Sequence, residues 1–290
     1  MIARTAPAKV NLYLRVVGRR GDGYHLLDSL VAFAGLADRL EAEDAGDLSL
    51  QLDGPFAYTL AVEASDDNLV LRAARLLAAR MGVAPRARLR LTKNIPVGAG
   101  LGGGSADAAA VLRLLSALWQ VEPSDADMAG IAEELGADVP VCLAGRTASV
   151  SGIGERVEPA PRLPDCGLVL VHPLAPLPTA SVFRAFAQHM SAPPASAPLP
   201  ILRMPDTVSG LAQALAARGN ELTEAAISLV PQIGTMLATL HATPGCRYAA
   251  MSGSGAACFA LYDDVMTAEV ARLDVERAHP ALWTYAGAFI

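Results

Sequence analysis

The chain has 290 residues, 52% of them hydrophobic and 18% charged, and a formal net charge of -6. That composition supplies a sizeable core and excludes a disordered chain, while the length suits one large or two ordinary domains. The acidic balance argues against a nonspecific nucleic-acid binder or an anionic-membrane binder, each of which needs a basic face.

Along the chain, residues 8–17 alternate, with Val10, Leu12, Leu14 and Val16 on one face, which predicts a half-buried strand. Residues 18–23 form a glycine-rich turn, and 27–34, 39–43 and 48–52 are expected as separate strands joined by Gly/Asp turns. Asn68 is placed to cap a helix that runs to Met81 and stops at Gly82. Ala87, Leu89 and Leu91 mark another strand, which leads into a loop over 93–104. Helices are predicted at 105–119 and 125–135, and 139–151 reads as strand material. The proline-rich stretch 158–164 marks the expected boundary between domains 1–160 and 161–290. The second half then offers a strand at 168–171, a helix from about Ser181 and an unstructured segment at 191–198. Three helical patches, a strand pair flanking 252–255 and a helix over 265–276 complete it. Strands and helices mix without regular βαβ alternation, so the expected class is α+β rather than a doubly wound sheet.

No apolar run approaches the roughly 18 residues of a membrane-spanning helix, and the first residues lack the apolar stretch of a secretory signal. Cys142, Cys166, Cys246 and Cys258 are widely separated without C-x-x-C spacing. They are expected to be small core residues of a reduced, cytoplasmic protein rather than zinc ligands. Of the 23 Lys plus Arg residues only Lys9 and Lys93 are lysines. Arginine replaces lysine readily on a solvated surface but poorly where a compact ammonium is needed, so both positions invite a functional reading.

The strongest local signal is the run Pro96, Val97, Gly98, Ala99, Gly100, Leu101, Gly102, Gly103, Gly104, Ser105. Five glycines in seven residues permit positive φ and close approach of backbone N–H groups, and the following helix adds unsatisfied N–H groups and the positive end of its dipole. Together they predict a phosphate cradle. It is not a Walker A loop, because no lysine precedes Ser105. Gly98, Gly100 and Gly103 match G-x-G-x-x-G, but Pro96 interrupts the strand that a dinucleotide site requires and no ribose-binding acid follows at the right distance. The protein-kinase motif set is also absent.

The loop resembles the ATP-binding motif of the GHMP kinases, the small-molecule kinases that include those for galactose, homoserine, mevalonate and phosphomevalonate. Pro7-Ala8-Lys9-Val10-Asn11-Leu12 and the segment Met251-Ser252-Gly253-Ser254-Gly255 match further motifs in the family's order. Gly21-Asp22-Gly23-Tyr24-His25, Lys93-Asn94-Ile95-Pro96, Gly136-Ala137-Asp138-Val139-Pro140 and Asn220-Glu221-Leu222 are similar to hallmarks of one branch, which acts on a cytidine-diphosphate-bearing polyol of the non-mevalonate isoprenoid route. The resemblance implies a two-domain α+β fold, with an N-terminal domain like ribosomal protein S5 domain 2 and a ferredoxin-like C-terminal domain. It also implies transfer of the γ-phosphate of ATP, with Mg²⁺, to a 2-hydroxyl of that small-molecule substrate.

By the same resemblance Lys9 and Asp138 are the catalytic pair, the lysine stabilising anionic charge and the carboxylate orienting the hydroxyl. Asn68 and Lys93, with residues 96–105, would bind ATP. Asn11, Tyr24, His25, Thr179 and Phe183 would bind substrate, the two aromatics sandwiching a cytosine whose polar edge His25 reads. From the residues alone, plainer uses remain open: a strand-edge lysine for Lys9, a turn residue for Asp138, a cap for Asn68 and a core position for Phe183. The Gly-Tyr-His loop and Phe183 argue against the homoserine and mevalonate branches. Net charge and the presence of both Lys9 and Asp138 argue against a non-catalytic RNA-interacting module. Where the branch carries a second serine after its glycines, this chain has Ala106, and no Mg²⁺ ligand is assigned.

Overall fold

The computed structural model describes residues 1–61, 68–189 and 203–290, so the segment 191–198 lies outside the described residues. Two compact units emerge, each assembled from separated stretches. The first comprises Met1–Ala8, Leu36–Val97 and Gly102–Gly145; the second comprises Lys9–Gly35, Gly98–Leu101 and Arg146–Ile290. The long strands β1 (Ile2–Arg19) and β2 (His25–Glu43) pair with each other, and each contributes residues to both units.

In the first unit the end of β2 pairs antiparallel with β4 (Ala87–Thr92), and β3 (Leu48–Asp53) pairs parallel with β4. The β4 sequence alternates as expected, with Ala87, Leu89 and Leu91 buried and Arg88 and Arg90 exposed. A short α1 (Ala57–Ala61) precedes α2 (Leu69–Met81), α3 (Gly103–Leu118), α4 (Asp125–Leu135) and α5 (Val139–Ala144). Leu77 of α2, Val111 and Leu115 of α3 and Ile131 of α4 close one core with Leu89 and Leu91. The α4 start is fixed by a reciprocal capping box between Ser124 and Asp127, and the α2 end by Gly82 in the left-handed conformation.

In the second unit β5 (Ala148–Gly152) pairs with residues 27–31 of β2 and with β6 (Arg156–Pro159). A separate sheet follows from β7 (Gly167–His172), β8 (Tyr248–Met251), β9 (Cys258–Tyr262) and β10 (Trp283–Ala288), in the order β10-β7-β9-β8. Helices α6 (Thr179–His189), α7 (Val208–Ala216), α8 (Thr223–Leu229) and α9 (Gln232–Ala242) connect β7 to β8, and α10 (Val265–Ala278) connects β9 to β10. This is a βαββαβ path with strand order 4-1-3-2, the ferredoxin-like pattern. All six β7 residues are buried, which explains why that strand reads as a continuous apolar run.

The α+β class holds, but three local expectations are corrected. Residues 27–34 and 39–43 are one strand rather than two. Gly35 marks a close approach and not a turn, since a Cβ there would lie 3.2 Å from the Tyr285 hydroxyl. The apolar run 139–151 divides into α5 and β5, because Pro140 fits a first helical turn and Gly145, at φ 61°, ends the helix. Helix α3 begins at Gly103, with Gly102 as a left-handed cap, and not at Ser105.

Candidate active site

Glycine occupies the loop at alternate positions for a backbone reason. Gly98, Gly100 and Gly102 have φ of 69°, 76° and 64°, whereas Ala99 and Leu101 between them are not in the positive-φ region. Alternation of this kind is the backbone pattern of an anion nest, and the loop leads in sequence into the N-terminus of the 16-residue α3. The carbonyls of the loop are occupied elsewhere in the second unit. Ala99 O accepts from Ala257 N at 2.9 Å, Gly100 O from the Ser252 hydroxyl at 3.3 Å, and Leu101 O from Lys9 N at 2.8 Å. Gly100 is also required by space: a Cβ would fall 2.5 Å from Gly255 O. The 252–255 turn is braced by Asn220, whose amide nitrogen donates to Met251 O and Gly253 O, each at 2.8 Å.

Lys9 and Asn11 lie on β1 and are both buried, so neither is a solvated strand-edge residue. The Lys9 ammonium donates to Asn11 Oδ1 at 2.9 Å, Asn11 Nδ2 donates to Ser29 Oγ at 2.8 Å, and Asn11 N donates to Ser252 Oγ at 3.1 Å. Lys93, the other lysine, is in the first unit and only 2% exposed. Its ammonium donates to Asp38 and to Asp107, the latter at 2.7 Å, while Asp38 Oδ1 accepts from the backbone N of Asn94 and Ile95. This cluster joins the residues that enter the glycine loop to the helix that leaves it. Burial pushes the Asp107 carboxyl up to about 7 against the opposing pull of Lys93, because two buried carboxylates share one cation. For Lys93 burial acts downward, but the fields of Asp107 and Asp38 and their hydrogen bonds outweigh it and hold the ammonium above the usual lysine range. Neither aspartate stands out in the sequence, since each acquires its meaning only from a partner far along the chain.

Asn68 caps α2, its Oδ1 accepting from Val70 N at 2.9 Å. A Cβ on Gly104 would lie 3.5 Å from Leu69, so the glycine-rich start of α3 and the start of α2 adjoin. Asp138 stands at the head of α5 but its side chain does not cap that helix. Ala106 is buried in the first unit's core, a position where a hydroxyl would displace apolar packing. Ser105, one residue before it, is half-buried.

The aromatic residues proposed for substrate lie in the second unit. The His25 ring stacks on Phe183 with centroids 5.0 Å apart and 21° between planes, and meets Phe186 edge-on. Burial, with a smaller contribution from Arg19, lowers the His25 pKa below the usual histidine range. Tyr24 is 60% exposed and its ring lies under the Arg20 guanidinium at 5.6 Å. Phe183 is half-buried against the core and stacks its other face on His25. Thr179 Oγ1 and Ser254 Oγ are hydrogen-bonded at 2.9 Å.

Residues 68–146 match the GHMP kinases N terminal domain and residues 206–281 match the GHMP kinases C terminal domain. A 4-diphosphocytidyl-2-C-methyl-D-erythritol kinase of Paramagnetospirillum magneticum is 52% identical, over 96% of this chain and 95% of the relative. The chain belongs to the 4-diphosphocytidyl-2-C-methyl-D-erythritol kinase family. A crystal structure of a 4-(cytidine 5'-diphospho)-2C-methyl-D-erythritol kinase is 37% identical and superposes with a TM-score of 0.77, covering 99% of both chains. The homoserine kinase of Cytophaga hutchinsonii, at 16% identity and a TM-score of 0.68 with 100% and 94% covered, shares the fold alone.

Proposed function

We propose that this chain transfers the γ-phosphoryl group of ATP to the 2-hydroxyl of 4-diphosphocytidyl-2-C-methyl-D-erythritol, a step of the non-mevalonate isoprenoid precursor route. The observation that carries the mechanism is the hydrogen bond from Lys9 N to Leu101 O, which ties the strand of the buried lysine to loop residues 98–101 within one unit. Backbone N–H groups of 98–104 hold the phosphates, and the Lys9 ammonium neutralises charge on the transferring group. Asp138 orients the attacking hydroxyl; a loose transition state asks little base strength of it. Asn11 holds Lys9 in place, as its engaged amide supports.

Mg²⁺ would enter with the nucleotide and would supply neutralisation of phosphate charge, and no residue of this chain is assigned to hold it. Asn68, which caps α2 beside the start of α3, would contact the adenine end. Lys93 serves ATP through the loop it anchors, in keeping with its engagement by two carboxylates. For the cytidine, Tyr24 and Phe183 supply the faces, His25 the polar contact and Thr179 a hydroxyl. His25 must slide off Phe183 for a base to take that face. The reading includes a division at about residue 160 between N- and C-terminal domains and a cytoplasmic setting, supported by four free thiols. Among the described residues no helix is long and apolar enough to cross a membrane.

The test is ATP consumption with 4-diphosphocytidyl-2-C-methyl-D-erythritol, homoserine and mevalonate presented separately. Turnover with the first alone is expected; turnover with only homoserine or mevalonate would overturn the substrate while leaving the kinase reading intact.

A further inference from the structure

The Lys9–Asn11 contact continues into a third buried side chain that has a definite direction. Ser29, on β2 and 1% exposed, donates its hydroxyl proton to Tyr13 O at 2.6 Å and receives the Asn11 Nδ2 proton at 2.8 Å. A carbonyl oxygen can only accept, so the single Ser29 proton is committed to Tyr13 O. Ser29 Oγ can then only accept from Asn11, which forces the NH₂ end of that amide toward β2 and its oxygen toward the Lys9 ammonium, 2.9 Å away. A flipped amide would set NH₂ against NH₃⁺ and carbonyl against an oxygen with no proton left, losing both bonds. Packing also confines the amide: a Cβ at Gly253 would lie 3.1 Å from Asn11 Oδ1.

We infer that Ser29 is a positioning residue for phosphoryl transfer, fixing the polarity of the Asn11 amide and through it the place of the Lys9 ammonium. The inference rests on the proposed role of Lys9. Ser29 touches neither nucleotide nor acceptor in this account; it acts from behind, through one amide. The backbone carbonyl of Tyr13 is the origin of the chain's direction, and it belongs to the same strand as Lys9 and Asn11. One strand therefore sets the orientation of its own catalytic side chain by way of a hydroxyl on its neighbour.

The experiment is steady-state kinetics of the full chain with ATP and 4-diphosphocytidyl-2-C-methyl-D-erythritol for Ser29→Ala, Ser29→Cys, Ser29→Thr, Asn11→Ala, Lys9→Ala and the Ser29→Ala/Asn11→Ala double variant. Ser29→Ala and Ser29→Cys are expected to lower kcat about tenfold, with KM for ATP changed less than about twofold, because a misplaced catalytic group slows chemistry without altering nucleotide contacts. Ser29→Thr, which keeps a hydroxyl, is expected to recover most of kcat. In the Asn11→Ala background Ser29→Ala should cost nothing more, since coupled groups are non-additive. The size-conserving Cys variant answers the question even if the alanine variant folds poorly. Full kcat in both Ser29→Ala and Ser29→Cys with Lys9→Ala inactive would overturn this inference alone, as would additive losses in the double variant. Full kcat in Lys9→Ala would overturn the role of Lys9 and this inference with it.

Discussion

At the scale of single residues, the two lysines have different surroundings. The Lys9 ammonium donates to Asn11 and its backbone N to Leu101 O, whereas Lys93 is locked between Asp38 and Asp107. Replacing Lys93 with methionine strands two buried carboxylates, and the expected loss of folding stability in urea denaturation is about 3 kcal/mol, with a raised KM for ATP as the loop loses its anchor. His172 makes a second prediction. It is buried, and its Nδ1 accepts from Leu174 N at 3.1 Å, so the neutral ring carries its proton on Nε2, which has no partner among the described residues. Burial pushes its pKa down to about 4, and adding a proton at Nδ1 would break the bond to Leu174. The unfolded chain takes that proton near pH 6.5 and the folded chain only near 4. Stability is therefore unaffected above about 6.5 and falls as pH drops from there to about 4, by about 3 kcal/mol for this group. His172→Asn keeps an acceptor for Leu174 and should remove that portion of the acid slope in urea midpoints measured from pH 7 to 4.

Among elements, the glycine loop shows why equal residues need not be equally essential. Gly98 and Gly100 both have positive φ, but a Cβ on Gly98 meets nothing within 4 Å whereas one on Gly100 strikes the Gly255 backbone. Gly98→Ala should cost only the left-handed strain, about 1 kcal/mol, and leave most ATP binding. Gly100→Ala adds overpacking of about 1–3 kcal/mol against rigid backbone and should raise KM for ATP at least about tenfold. Thermal melts and ATP titrations of the two variants separate the effects. The same scale explains the corrected elements. An apolar run such as 139–144 has no periodicity that distinguishes a short helix from a strand; Pro140 and Gly145 decide it through backbone geometry. Gly35 reads as a turn in isolation, yet it stays in β2 because another strand's tyrosine occupies the space of its missing side chain.

For the whole molecule, chain order and packing do not coincide. Leu14 and Val16 from β1 are buried in the second unit's core with Val169, Val171, Leu222 and Met251. β2 residues 27–31 complete that unit's pairing with β5. A fragment of residues 161–290 lacks these strands and exposes the apolar surface they cover. Expressed alone, it should bind a hydrophobic dye and melt without a cooperative transition, while the full chain melts cooperatively; a sharp cooperative melt of the fragment would contradict this.

Local chemistry made the phosphate loop, the caps at Asn68 and Gly82, most strands and the α+β class legible from the sequence, because glycine conformation, capping and alternation act within a few residues. Motif order along the chain was enough to point to the kinase family, which the relatives then showed. Only the tertiary structure decided that Lys93 is spoken for by Asp38 and Asp107, that Asn11 is turned by Ser29, and that Gly100 rather than Gly98 is sterically irreplaceable. Those outcomes depend on partners 14 to 155 positions away, and a burial or a hydrogen bond across that separation leaves no periodic trace in either segment. Lysine scarcity marked both positions as worth asking about; the buried carboxylates Asp38 and Asp107 show that Lys93 anchors the approach to the glycine loop, while Lys9 is bonded to Asn11 on β1.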